Sequence, residues 1–369
     1  MKIAILTLTL HTNYGGILQA YALQTILERM GHEVEVLNRP FTPSRTKWKE
    51  IPKRIIKKLL GRDVIIFSEK KYNKEAPIIN KAVWDFRKKY IHERIINNLH
   101  DVKEYDYECI VVGSDQVWRP KYFKQQWKTG IEDAYLAFTK GWNIKRIAYA
   151  CSFGVDTWEY TDEETAKCRE AIKMFNAVSV REDSGIELMK LHLGIDAVQM
   201  IDPTMILERK DYELIIGEDS RSQQQYLLTY ILDRNPEKET TVEKYRLAKQ
   251  IKRFDLNYNQ EITEPIQRRI LPSVGVWLKG FRDACIVLTD SFHGCVFSII
   301  FLRPFAVMKN EGRGISRVDS LLKKFELQSH LINNMDGHNA YDDFICSDNQ
   351  DSRIESLRRD AKVYFSISI

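Results

Sequence analysis

Long apolar runs are missing from this chain. No uninterrupted stretch approaches the roughly 20 apolar residues that a membrane-spanning helix needs. The start carries no export pattern: Met1-Lys2 leads straight into the apolar segment Ile3–Leu8, without a cleavage site. Cysteine is scarce, six in 369 residues, and forms no CxxC pair. Several cysteines lie inside apolar runs and read as buried thiols of a reducing cytoplasm, not as a disulfide framework. The eight histidines show no HxH or HExxH spacing, so no metal site is expected. The GxGxxG dinucleotide fingerprint is absent, as are internal repeats and low-complexity tracts. Basic excess is also missing from most of the chain. Between Arg45 and Arg62, eight Lys/Arg accompany one acid, Glu50, giving +7 against a net charge of +5, so all other residues sum to −2. Basicity this local argues against general nucleic-acid binding.

What remains is an ordinary globular composition, 44% hydrophobic and 29% charged, at a length that suits two domains. The first 200 residues alternate apolar strands and helices. Lys2–Leu8 reads as a strand, Thr9–Gly16 as a polar loop ending in a glycine pair, Ile17–Met30 as a helix and Glu33–Leu37 as a second strand. Further strands are predicted over 106–115, 146–153, 176–180 and 197–201, with helices over 163–175 and 183–193. After Asp202-Pro203-Thr204 the chain is expected to cross to a second unit. That unit has strands over 226–232 and 304–308 and helices over 239–251 and 318–327. A short helix or turn is expected over 276–284, and a helix over 355–365 closes the chain.

Small polar residues collect where strands end, and ligands of open α/β sheets bind there. The densest case is Ala284–Leu302, ACIVLTDSFHGCVFSIIFL. A buried strand turns at Thr289-Asp290-Ser291 into an apolar helix. Asp290 or Ser291 can cap that helix and leave backbone N–H groups aimed at an anion. His293 falls in its first turn, able to move a proton near neutral pH. The same pattern also suits a capped core helix with a hydrogen-bonded histidine. Asn13, Gly15 and Gly16 in the first loop permit close approach of a ligand. Ser114-Asp115 and Ser152 end two more strands. Arg181 ends another and offers a fork for carboxylate or phosphate, or else a surface ion pair. Trp118 suits either a sugar-stacking role or the core.

Residues 41–100 differ: they are basic, dotted with aromatics and poor in glycine. In Lys53–Leu60, KRIIKKLL, a helix gathers Ile55, Ile56, Leu59 and Leu60 on one face. That fits a basic amphipathic helix on a membrane surface, or one packed on the domain with a solvated lysine face. Trp84–Ile96 reads as another helix.

Six blocks, in order, resemble the polysaccharide pyruvyl transferase family: Asn13–Gln24 (NYGGILQAYALQ), Val112–Trp118 (VGSDQVW), Tyr149–Gly154 (YACSFG), Ser179–Glu182 (SVRE), Asp202–Thr204 (DPT) and Thr289–Gly294 (TDSFHG). The resemblance runs from residue 2 to about 327 and covers 41–100 only loosely. It implies an α/β fold of two Rossmann-like domains facing across a cleft, as in GT-B glycosyltransferases. Residues 1–204 would form the first, with a basic helical insertion at about 41–100. Residues 205–350 would form the second, and 351–369 a C-terminal helix. It implies phosphoenolpyruvate as donor, no cofactor and no metal. The product would be a pyruvate ketal on a sugar of an exopolysaccharide, capsule or cell-wall precursor.

The family's histidine falls on His293 and its arginine on Arg181. His293 is the expected acid–base group, with Asp290 or Asp115 as carboxylate partner. Substrate contacts are expected from Asn13, Gly15, Gly16, Ser114, Ser152, Arg181, Ser291, Gly294, Arg313 and Arg317. The acceptor is expected to be a sugar or a lipid-linked oligosaccharide. The protein would be cytoplasmic, with Lys53–Leu60 as a peripheral contact to the inner membrane face. Two other readings share the architecture: a GT-B glycosyltransferase using a nucleotide sugar, and a non-catalytic sugar-binding homologue.

Overall fold

The computed structural model describes residues 1–369 apart from 63, 219–224, 258–262, 311, 313 and 333–347. Two all-parallel sheets carry the chain. The first is built from β1 (Lys2–Leu6), β2 (Glu33–Asn38), β3 (Glu93–Ile95), β4 (Cys109–Val112), β5 (Lys145–Cys151), β6 (Ala177–Val180) and β7 (Val198–Gln199), in the order β3-β2-β1-β4-β5-β6-β7. The second is built from β8 (Tyr226–Tyr230), β9 (Lys252–Asp255), β10 (Ile286–Thr289), β11 (Phe305–Met308) and β12 (Leu331–Ile332), in the order β12-β11-β10-β8-β9.

The central strands are continuous apolar runs because both faces of a parallel sheet are covered by helices. In β1, Ile3, Ala4, Ile5 and Leu6 are fully buried. They pair with Val34–Leu37 on one side and Cys109–Val112 on the other. In the second sheet β10 lies between β8 and β11.

Three expectations change. The first helix runs Tyr14–Arg29, so Gly15 and Gly16 belong to its first turn and not to the preceding loop. Residues 84–96 are not one helix. A helix over Lys81–Tyr90 ends, and the chain joins the sheet as β3. The open edge of β2 recruits it: Val36 N–H donates to His92 O (2.8 Å) and Ile96 N–H to Asn38 O (2.9 Å). The doubled Arg87–Glu93 ion pair fixes that turn. Residues 276–284 belong to a full helix, Val274–Asp283, capped by the Ser273 hydroxyl. Beyond these, a helix over Ser68–Ile79 and the edge strand β9 carry no plain apolar period in the sequence.

The last helix, Asp348–Ser368, returns to the first sheet. Phe365 stacks on Tyr149 (4.5 Å between centroids), and the Tyr364 hydroxyl donates to Ala148 O (2.8 Å). Arg358 donates to Met205 O, tying the helix to the crossing after Asp202. The first helix also spans the two halves. The Tyr14 hydroxyl reaches Pro272 O (2.8 Å), and its ring stacks on Trp277. The carboxyl ends of both sheets therefore face one cleft. Among the described residues no helix is long and apolar enough to cross a membrane.

Candidate active site

Strand β10 ends at Thr289, whose hydroxyl donates to Tyr230 O and accepts from Ser291 N–H (3.0 Å). This tight turn starts the helix Phe292–Ile300, and Ser291 Oγ caps it by accepting from Gly294 N–H (3.4 Å). Gly294 is required for packing: a β-carbon there would lie 2.2 Å from Thr289 Oγ1. Across the cleft the first helix begins at Tyr14, with Asn13 as its N-cap residue. The two N-termini meet at one contact. A β-carbon on Gly15 would lie 2.1 Å from His293 Nδ1. Both helices thus bring their N-termini and the positive ends of their dipoles to the same point.

A small polar cavity lies here, lined from the first half by Asn13, Asp115 and Gln116 and from the second by Tyr230, Asp290, Ser291, His293, Asn310 and Arg317, among others. The halves touch beside it at Gly314, whose added β-carbon would sit 1.7 Å from Gly154 O.

His293 is buried, and its Nε2 has no hydrogen-bond partner among the described residues. Asp202 Oδ2 lies 3.9 Å from that nitrogen. Burial lowers the imidazole pKa from 6.5, Asp202 and Asp115 oppose this, and Arg181 and Arg317 add to the lowering. The free site thus favours neutral imidazole.

Arg181 is fully enclosed. Its Nη1 donates to Asp202 Oδ2 (2.8 Å) and its Nε to Glu182 Oε1 (3.1 Å), leaving Nη2 without a partner among the described residues. The guanidinium lies 4.2 Å from the Phe292 ring centroid. Arg317 approaches the same ring at 5.9 Å. Burial and the nearby Arg181 lower Arg317 to about 10. Burial works against the Arg181 charge, but Glu182 and Asp202 outweigh it and hold the Arg181 pKa above its usual value.

Asp115 lines the cavity from the left-handed region (φ 66°), and its carbonyl accepts from Ser152 N–H (3.1 Å). Asp290 also borders the cavity, but its carboxylate is already occupied. It accepts from Leu232 N–H (2.6 Å), Asp233 N–H (3.1 Å), Lys238 Nζ (2.7 Å) and Asn310 Nδ2 (2.9 Å). A carboxylate with four donors braces the loop, whereas the carboxylate 3.9 Å from His293 Nε2 belongs to Asp202. Sequence reasoning noted the Asp202-Pro-Thr block without giving it a role. The Asp202 carboxylate accepts from Arg181, Ser114 Oγ (3.1 Å) and Thr204 (2.7 Å from its Oγ1). Burial resists its charge, but His293, Arg181 and Thr204 outweigh that and hold its pKa below the usual value.

Asn13, Ser291 and Arg317 line the cavity, Gly15 packs on the imidazole, and Gly16 lies within 3.5 Å of Asp115 Oδ2 as measured from an added β-carbon. Ser114 and Ser152 sit one layer behind, their hydroxyls turned to Asp202 and Glu182, so they position these acids and do not reach the cavity. Gly294 meets Thr289. Arg313 lies outside the described residues. Trp118 is core: it is fully buried, stacks on Tyr135 at 4.9 Å and donates to Ala134 O. Among the described residues no three His, Cys, Asp or Glu side chains could hold a metal ion.

A cleft between two parallel α/β sheets thus gathers two helix N-termini, a buried histidine and two buried arginines at one place. Comparison with known proteins gives the family. The model of the polysaccharide pyruvyl transferase family matches residues 13–312, and the chain belongs to that family. It is a transferase by that membership. No curated protein matches the sequence. Solved structures with a similar fold include a putative UDP-N-acetylglucosamine 2-epimerase from Listeria monocytogenes, at 10% identity and TM-score 0.48 over 96% of this chain and 90% of that one. UGT89C1 of Arabidopsis thaliana, complexed with UDP-L-rhamnose, is similar at 9% identity and TM-score 0.49 over 97% and 93%.

Proposed function

We propose that the protein transfers pyruvate from phosphoenolpyruvate to a sugar of a surface-polysaccharide precursor, forming a cyclic ketal. The observation that carries this reading is His293, with its unpartnered Nε2, wedged between two helix N-termini beside Arg181 and Arg317. Phosphoenolpyruvate carries a carboxylate and a phosphate ester on the same carbon, C2. Two arginines and two sets of helix N–H groups suit such a ligand.

The reaction needs a proton on the methylene carbon. Neutral His293 gains that capacity once the anion arrives, because added negative charge raises its pKa. Asp202 then stabilises and orients the imidazolium, and the methylene takes the proton. One sugar hydroxyl adds to C2, the second displaces phosphate, and the ring closes. One hydroxyl proton ends on the methyl group and the other on phosphate. The imidazole can relay the first and Asp115 can accept the second. This chemistry uses no metal and no cofactor.

The acceptor is a sugar or lipid-linked oligosaccharide, and the helix Ile51–Leu59 supports a peripheral contact with an anionic membrane. None of its residues is buried: Leu59 is 81% exposed on the helix that carries Lys53, Lys57 and Lys58, and Trp48, in the turn before it, is 75% exposed. Each lysine near an anionic leaflet contributes about 1 kcal/mol. Co-sedimentation with phosphatidylglycerol vesicles should be lost when Lys53, Lys57 and Lys58 become Gln. Retained binding would reject the contact.

The test of transfer is thermal stabilisation by phosphoenolpyruvate, with phosphate release in the presence of galactose-, glucose- and N-acetylmannosamine-containing acceptors. Wild type should show both and His293→Ala no release. Stabilisation by a nucleotide sugar instead, with no response to phosphoenolpyruvate, would favour a glycosyltransferase.

A further inference from the structure

A second cavity, of about 680 Å³, opens beside the carboxyl ends of β1, β2 and β3. Its lining includes His11, Phe41, Tyr72, Trp84, Arg87 and Glu93. The insertion supplies most of this wall, which gives residues 41–100 a role that the family blocks do not explain.

The aromatic groups form one connected surface. The His11 and Phe41 rings lie 4.4 Å apart, and Phe41 and Tyr72 5.3 Å apart. His11 Nε2 and the Tyr72 hydroxyl share a 2.6 Å hydrogen bond. Burial and the neighbouring Arg87 lower the pKa of His11 to about 4, so it acts as a neutral polar group. A fixed polar network lines the same cavity. Arg87 pairs twice with Glu93 (2.8 and 2.7 Å). Asn38 Nδ2 donates to Glu93 (2.6 Å), while its Oδ1 accepts from Leu10 N–H (2.9 Å). Phe41 nevertheless stays 55% exposed.

Aromatic faces in one cavity with an ordered carboxylate, guanidinium and amide suit a hexose. Its C–H face stacks on rings, and its hydroxyls pair with planar polar groups. The cavity also lies next to the proposed chemistry. His11 lines it, and Asn13 lines the His293 cavity two residues later. Two residues span at most about 7 Å of chain.

We propose that this aromatic cavity, built by the insertion onto the ends of β1–β3, is the acceptor-sugar site, holding a hexose so that its hydroxyls reach the His293 cavity. The assignment rests on the pyruvyl-transfer reading for the direction of the hydroxyls, but sugar binding itself can be measured without the donor.

Saturation-transfer NMR with p-nitrophenyl β-galactoside, β-glucoside and N-acetyl-β-mannosaminide tests it. Wild type should give transfer to the ring protons of at least one of these. Phe41→Ala should weaken its binding at least fivefold. Phe41 is half exposed, so its loss does not threaten the fold; Tyr72→Phe, which removes only the hydroxyl bonded to His11, provides a milder second variant. No binding of any of the three to wild type, or unchanged binding in both variants, would overturn the proposal. Thermal stabilisation by phosphoenolpyruvate, measured on the same samples, reports separately on the donor reading.

Discussion

Replacing Gly15 with alanine should damage catalysis far more than stability. The new β-carbon would stand 2.1 Å from Nδ1, 2.3 Å from Cγ and 2.5 Å from Cε1 of His293. Ordinary contact begins near 3.4 Å, so the imidazole or the helix must yield by about 1.3 Å. The ring can yield into Phe292 (5.3 Å between centroids), toward Asp202 or into the cavity that it lines, and each move takes it from its place. A misplacement of about 1 Å in a reacting group costs on the order of 100-fold in rate. That factor is about 2.7 kcal/mol of lost transition-state stabilisation. Gly16→Ala is the matched control. Its β-carbon meets Asn13 Nδ2 at 3.4 Å and Asp115 Oδ2 at 3.5 Å, both tolerable. Alanine in place of a helical glycine adds up to about 1 kcal/mol of stability. The assay is kcat for acceptor-dependent phosphate release, alongside the melting temperature. We expect kcat down about 100-fold for Gly15→Ala and nearly unchanged for Gly16→Ala. Gly15→Ala within threefold of wild type would refute the wedge between the helices.

Further outcomes follow from the buried charges. Arg181→Ala leaves Asp202 and Glu182 buried without their cation, and urea unfolding should show a loss of about 3–5 kcal/mol. Asp290→Ala strands Lys238 and should cost a similar amount. In contrast, Asp202→Asn should shift the pH profile of kcat, since its carboxylate opposes the lowering of the His293 pKa. His330 is held near 4 by burial, below its unfolded value of about 6.5. The unfolded chain therefore binds the extra proton first, and stability falls as pH drops from about 6.5 to about 4. His330→Leu should flatten the melting-temperature profile in that window.

The parallel core was legible because doubly covered strands are unbroken apolar runs, as in Ile3–Leu6 and Ile286–Leu288. β3 and β9 were not: ERI and KRFD are short and charged, and only the open edge of a neighbouring strand makes them strands. Gly15 and Gly16 read as loop residues because glycine disfavours helices. Their reason for being helical is the imidazole across the cleft, which no local pattern contains. His293 and Arg181 were visible as polar residues at the edges of apolar segments. Asp202 was visible as a motif but not as a partner, because it meets His293 only after the chain has crossed between sheets, 91 residues earlier in sequence. The occupancy of the Asp290 carboxylate was hidden for the same reason, since its four donors, Lys238 on a helix among them, lie up to 58 positions away.

Phosphoenolpyruvate bound beside His293 should raise the imidazole pKa. Calorimetry of phosphoenolpyruvate binding at neutral pH, in two buffers of different ionisation enthalpy, measures it directly. Wild type should bind with net proton uptake, and His293→Gln should bind with that uptake removed. Equal proton uptake in both proteins, or no phosphoenolpyruvate binding by wild type, would contradict the account.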